Sequence, residues 1–152
     1  MANWCDNRME ISFANSEAEA TWKARYVSVE HGKTWLDTTV RPTDSLVEVQ
    51  ASFGKVFDED KGDDGSLVIY FESRWAAPTC WFSEMVKADA SISVASLEYS
   101  EPNMCFVGTM EWDKSTNTLT ETFRSGDDLT DDDWFILGHD KCEACDQFLC
   151  QC

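Results

Sequence analysis

The sequence predicts a single α+β domain built on a largely antiparallel sheet, and three observations predict it. Strand-like alternation recurs at 7–13, 67–73, 91–99, 105–112 and 118–123, and it is interrupted by helical spacing at 16–28 and 78–89. The later strands follow one another across tight turns, as hairpins do. The chain has 152 residues, 43% of them hydrophobic, with seven Trp and nine Phe, which suits one domain with an aromatic core.

In the first strand, Asn7 to Phe13, Met9, Ile11 and Phe13 alternate with Arg8, Glu10 and Ser12, so one face is buried. Asn15 or Ser16 caps the helix that follows. Glu17 and Glu19 suit its first turn, Ala18, Trp22 and Tyr26 share a face, and it ends near Ser28. Residues 29–65 are the least regular stretch and are read as an insertion: Trp35 to Val40 and Leu46 to Phe53 each suit a short strand or helix, and Asp58 to Gly65 an acidic turn.

Leu67, Ile69 and Phe71 alternate with Val68, Tyr70 and Glu72, both sets largely apolar, which predicts a central strand covered on both faces. Pro78 opens the second helix, where its missing N–H costs nothing. Trp81, Phe82, Met85 and Val86 form its apolar face, and it ends around Asp89. Ser91 to Tyr99 and Cys105 to Trp112 are strands joined by the turn Ser100 to Asn103, and Thr118 to Phe123 is another after the turn at Lys114 to Asn117. Thr130 followed by Asp133 is an N-terminal cap signature, with Asp131 to Asp133 favourable in the first turn. Gly138 stops or bends this last helix before the cysteine-rich tail, Lys141 to Cys152.

A formal net charge of −17 and a pI near 4.2 set the surface against phosphate backbones and anionic lipid, so direct nucleic-acid and membrane binding are disfavoured and a basic partner is favoured. Neither a membrane-spanning run nor a basic–apolar leader stands in the sequence, which reads as cytoplasmic. Seven cysteines are an odd number, which disfavours a disulfide scaffold and leaves thiols as buried apolar groups, metal ligands or reactive sites.

The opening Met1-Ala2-Asn3-Trp4-Cys5-Asp6-Asn7, the run Phe71-Glu72-Ser73-Arg74-Trp75-Ala76-Ala77-Pro78 and the later stretch from Leu97 to Gly108 together carry a resemblance. They resemble the Api92-like, or YubB ferredoxin-like, family, over scattered motifs spanning about residues 1 to 123. The resemblance implies a ferredoxin-like antiparallel sheet with two packed helices at 1–125, carrying the 29–65 insertion. Residues 126–152 then form an acidic, Cys-rich helical C-terminal extension of the same domain. It also implies an origin in phages, plasmids or prophages, hence a bacterial host cell, and it brings no catalytic residues. Ala77 stands where the family commonly has a second proline, and the acidic, cysteine-rich end lies outside the family pattern.

Two groups of residues stand out as candidate sites. Cys142, Cys145, Cys150 and Cys152 offer four thiolates with C-x₂-C spacing in the first half, enough for a tetrahedral zinc site. Cys142, Cys145, Leu149 and Cys152 also form the stripe of one amphipathic helix whose thiols only pack. The carboxylates Asp127, Asp128, Asp131, Asp132 and Asp133 suit either a solvated, capping face or a surface that imitates DNA phosphates and docks on a basic host protein, as an inhibitor of a defence system does. The acidic runs at 58–60 and 63–64 lack the ligand positions of a calcium loop.

The expected function is accordingly that of a non-enzymatic accessory protein, with a zinc-stabilised structural or virion protein and a small thiol enzyme as alternatives. Enzymatic motifs are lacking: there is no G-x-S-x-G, P-loop, G-x-G-x-x-G or H-E-x-x-H. His31 and His139 each lie beside a glycine in an expected turn, and Cys80 falls in a hydrophobic run and is expected to pack. Trp4, Trp75 and Trp81 are expected in the core rather than as an aromatic platform.

Overall fold

In the computed structural model the described residues are 4–37, 54–62 and 64–138. The elements run β1 (Trp4–Phe13), α1 (Ser16–Tyr26), β2 (Val27–Glu30), β3 (Lys33–Leu36), β4 (Gly54–Lys61), β5 (Leu67–Arg74), α2 (Thr79–Ala88), β6 (Ile92–Glu101), β7 (Phe106–Asp113), β8 (Thr118–Ser125) and α3 (Asp131–Ile136). All eight strands join one antiparallel sheet in the order β2-β3-β4-β5-β1-β6-β7-β8.

Local chemistry sets the helix boundaries. The Asn15 side chain accepts a hydrogen bond from the Ala18 amide at 2.9 Å and caps α1, while Pro78 takes the cap position of α2 just ahead of its first turn. Trp22 and Tyr26 on α1 and Trp81, Phe82, Met85 and Val86 on α2 are buried against one sheet face, as their spacing predicts. That face supplies Met9 and Ile11 from β1, Ile69 and Phe71 from β5, and Ala95 and Leu97 from β6. Rings of Phe13, Trp22, Tyr26 and Trp81 follow one another at 5.9, 5.2 and 5.4 Å, tilted or edge-on, the arrangement that ring quadrupoles favour.

Four expectations are corrected. The described parts of the expected insertion belong to the sheet: β2 and β3 form a hairpin at one end of it, and β4, holding much of the expected acidic turn, pairs with β5. The alternation there is masked by the consecutive Glu59 and Asp60, which fall on opposite faces of β4 and are both exposed. β1 begins at Trp4 and β6 runs on through Glu101, so the turn before β7 is shifted to residues 102–105. Finally, β5 is central but its second face is covered only in part: on the side away from α1 and α2, Val68 is buried while Tyr70 is 40% exposed.

One polar cluster interrupts the core. Asn7 donates through Nδ2 to the carbonyls of Cys5 and Phe71 and to Ser73 Oγ, at 2.7, 3.2 and 2.9 Å, and Ser73 in turn donates to the Ala76 carbonyl. Beside it, burial pushes the Cys5 thiol up to about 12, with the carboxylates of Asp6 and Glu101 adding to the effect.

Candidate functional site

Because side chains alternate along a strand and paired residues share a face, the register fixes what the uncovered face displays. One row crosses the sheet as Glu72, Asp6, Ser100, Val107 and Arg124, and the next as Tyr70, Arg8, Glu98, Thr109 and Thr122. Apart from Glu72, which lies outside it, these two rows floor a cavity of about 390 Å³, with Asp133 and Ile136 of α3 forming a wall. This volume lies within the range of small-ligand and side-chain pockets.

The charges in the cavity are largely matched. Arg8 donates to Glu10 at 2.6 Å and to the Tyr70 hydroxyl at 3.4 Å, and its guanidinium lies 3.6 Å from Glu98. Glu10 also accepts from Ser66 at 2.6 Å; that bond first and Arg8 second hold its carboxyl below the ordinary range. Arg124 donates to both oxygens of Asp133, Nε to Oδ2 at 2.8 Å and a terminal nitrogen to Oδ1 at 2.6 Å, in the forked geometry of a bidentate pair.

Asp133 also accepts from the Thr130 amide and hydroxyl, each at 2.8 Å, while Thr130 Oγ1 accepts from the Asp133 amide at 3.3 Å, which completes a capping box. The Arg124 hydrogen bond, ahead of those from Thr130, holds the Asp133 carboxyl far below the usual carboxylate range. Asp6 differs. Although the residue is exposed, partial desolvation of the carboxyl, with the nearby Glu101 carboxylate adding to it, pushes it above the ordinary aspartate range.

The five aspartates expected to meet a partner therefore divide. Asp127 and Asp128 sit in a single 3₁₀ turn and Asp131 and Asp132 in the first turn of α3, all four exposed beside the cavity wall. Asp133 is only 1% exposed: it is turned inward to anchor α3 to β8, and its removal from the docking set is a correction. Cys142, Cys145, Cys150 and Cys152 lie outside the described residues, as does His139. Among the described residues no group of three or more His, Cys, Asp or Glu is placed to hold a metal ion.

Other expectations also change. Cys80 is exposed rather than packed, because it falls on the outer side of α2. Trp81 is fully buried as expected, but Trp4 and Trp75 are 45% and 54% exposed. Trp75 has a φ of 72° at the end of β5, which turns it away from the core, and Arg74 lies over its ring at 5.7 Å. His31 is exposed in the β2–β3 turn, where the sequence puts it.

The sequence reading missed the cavity itself. Its signal was present in the alternation of Asp6, Arg8 and Glu10 along β1, a charged face on a central strand, but the partners of that face come from strands about 60 to 115 residues away. Comparison with protein-family models, with curated proteins and with solved structures finds no match to the chain. No helix among the described residues is long and apolar enough to cross a membrane.

Proposed function

We propose that this chain is a non-enzymatic binding protein of a phage or other mobile element that docks on a basic host protein. In this reading it uses the open sheet face and the acidic turn beside it, acting in the cytoplasm of a bacterial host and standing in for a nucleic acid. We also propose that β1, α1, β4, β5, α2 and β6 form a ferredoxin-like unit. That assignment is supported by the local strand order β4-β5-β1-β6, with α1 and α2 packed into one core on the same face, the β2–β3 hairpin added at one edge and β7–β8 at the other.

One observation carries the docking reading. Among the described residues the sheet face away from α1 and α2 is left largely open, with α3 against its β8 end, and beside it stand four exposed carboxylates, Asp127, Asp128, Asp131 and Asp132, while Arg124 on that face is taken up by Asp133. The same pattern holds elsewhere: Lys23 pairs with Glu19 and Glu59, and Lys61 with Glu19. Cations are thus drawn into internal pairs, and the net negative charge is left to the surface. Within the cavity the ionisable groups other than Asp6 engage one another rather than standing ready for proton transfer, which supports binding over catalysis.

The test is capture from bacterial lysate by the wild-type chain and by a variant with Asp127, Asp128, Asp131 and Asp132 all changed to Asn. Asp133 is left intact so that α3 stays docked. A protein retained by the wild type, released by raised salt and lost with the variant supports the proposal. Equal retention by both chains, or retention indifferent to salt, refutes it.

A further inference from the structure

Of the charged groups that line the cavity, Arg8 is engaged by Glu10 and Glu98 and Arg124 by Asp133. Asp6 alone of them accepts no hydrogen bond and makes no ion pair with any described residue through its carboxylate. Its neighbours on the row are Glu72 on one side and Ser100 on the other, both able to accept hydrogen bonds. Like charges directly opposite across an antiparallel pair repel, so Asp6 and Glu72 form an arrangement that a cation between or above them stabilises.

The remainder of the cavity does not resemble an ion site, because Val107 and the exposed Ile136 line it and offer apolar contact. A carboxylate at one end of an apolar-walled hollow matches a long aliphatic stem that ends in a positive charge.

We propose that this cavity seats one lysine or arginine side chain of a partner polypeptide, with its charged head at Asp6 and its stem along Val107 and Ile136. The assignment rests on the docking reading above and specifies its central contact. Charge complementarity selects the occupant: a phosphate or anionic lipid meets an unmatched carboxylate, whereas a basic side chain supplies the one charge the site lacks.

The experiment is a titration of ¹⁵N-labelled full-length protein, followed by backbone amide shifts, with N-acetyl-lysine methylamide, N-acetyl-arginine methylamide and, as a free polyamine, spermidine. The expected result is saturable shifts at Asp6, Ser100 and Val107 with the capped amino acids. Asp6→Asn is expected to weaken this binding about fivefold, the upper range for a solvent-accessible charge pair. Thr122→Trp, an exposed position on the cavity floor, fills the hollow and blocks binding with Asp6 intact.

No shift at these residues with tens of millimolar probe overturns the proposal, as does equal binding by Asp6→Asn. Tighter cavity binding by spermidine than by either capped amino acid overturns it in favour of a polyamine site. Shifts confined to residues 127–132 also overturn it, yet leave docking through the acidic turn standing. Lysate capture that is unchanged by the four-aspartate variant overturns that docking reading separately.

Discussion

Gly108 offers the sharpest test of how the sheet is packed. It lies directly opposite Tyr99, whose ring covers the space a side chain would fill: a Cβ at 108 falls 2.5 Å from Tyr99 Cε2 and closer still to Cζ and the hydroxyl oxygen. Carbon atoms rest about 3.5 Å apart, so in Gly108→Ala the ring has to move by roughly 1 Å or more. It is not free to do so, being packed edge-on to Phe106 at 6.3 Å and bonded through its hydroxyl to Glu121 at 3.3 Å. Overpacking costs about 1–3 kcal/mol and the lost hydrogen bond about 1, while replacing glycine within a strand returns about 0.5–1, so the net destabilisation is ~2 kcal/mol. In urea this lowers the midpoint at unchanged slope, and in a thermal scan it lowers Tm by roughly 4–8 °C. The decisive control is the same substitution in a Tyr99→Leu background, where the clash is gone and the cost disappears. An equal cost in both backgrounds refutes the reasoning, as does a neutral Gly108→Ala in the wild type.

Three further outcomes are expected. Since the Asp133 carboxyl is held far below its unfolded value of ~3.9, its stabilisation is complete above that pH and is lost as pH falls toward the folded value; the Tm gap between wild type and Asp133→Asn stays constant from neutral pH to about 5 and narrows below about 4. Asp6 has the opposite sign, because a raised folded value means that its charge opposes folding at neutral pH. Asp6→Asn therefore melts no lower than wild type at pH 7, and any gain vanishes below about pH 4. Among the three described cysteines, iodoacetamide followed by peptide mass mapping modifies the exposed Cys80 first, while Cys5, fully buried and raised to about 12, reacts only on unfolding.

What the sequence made legible was whatever is written in local period or local capping. The Met9, Ile11 and Phe13 alternation, the Trp22 and Tyr26 stripe, the α2 apolar face and the Thr130 to Asp133 cap all emerge from residues within a few positions of one another, and each lies where its pattern puts it. Less local facts were illegible. The order of eight strands depends on pairings between residues such as Asn7 and Phe71, and the pairing of Arg124 with Asp133 removes an aspartate from a run that reads as uniformly exposed. Trp75 shows the same limit in one residue: its type argues for burial, and a backbone turn at the end of β5 overrides that argument.

The two acidic groups at the site stand in different energetic positions, and the difference bears on function. Asp133 satisfies every rule of a stabilising residue: it is buried, capped, bidentately paired and held ionised. Asp6 breaks those rules on a central strand, lying across from Glu72 with its charge disfavoured by its surroundings, when an asparagine of nearly the same shape would avoid the cost. Departures from local consistency that lower stability concentrate where a protein meets its ligand. A carboxylate that hinders folding in the isolated chain and is relieved by an incoming cation makes the partner's binding energy larger by the amount of that relief. Opposite responses of stability and cation binding to the single change Asp6→Asn therefore distinguish a docking residue from one that merely decorates the surface, because a decorative carboxylate changes neither.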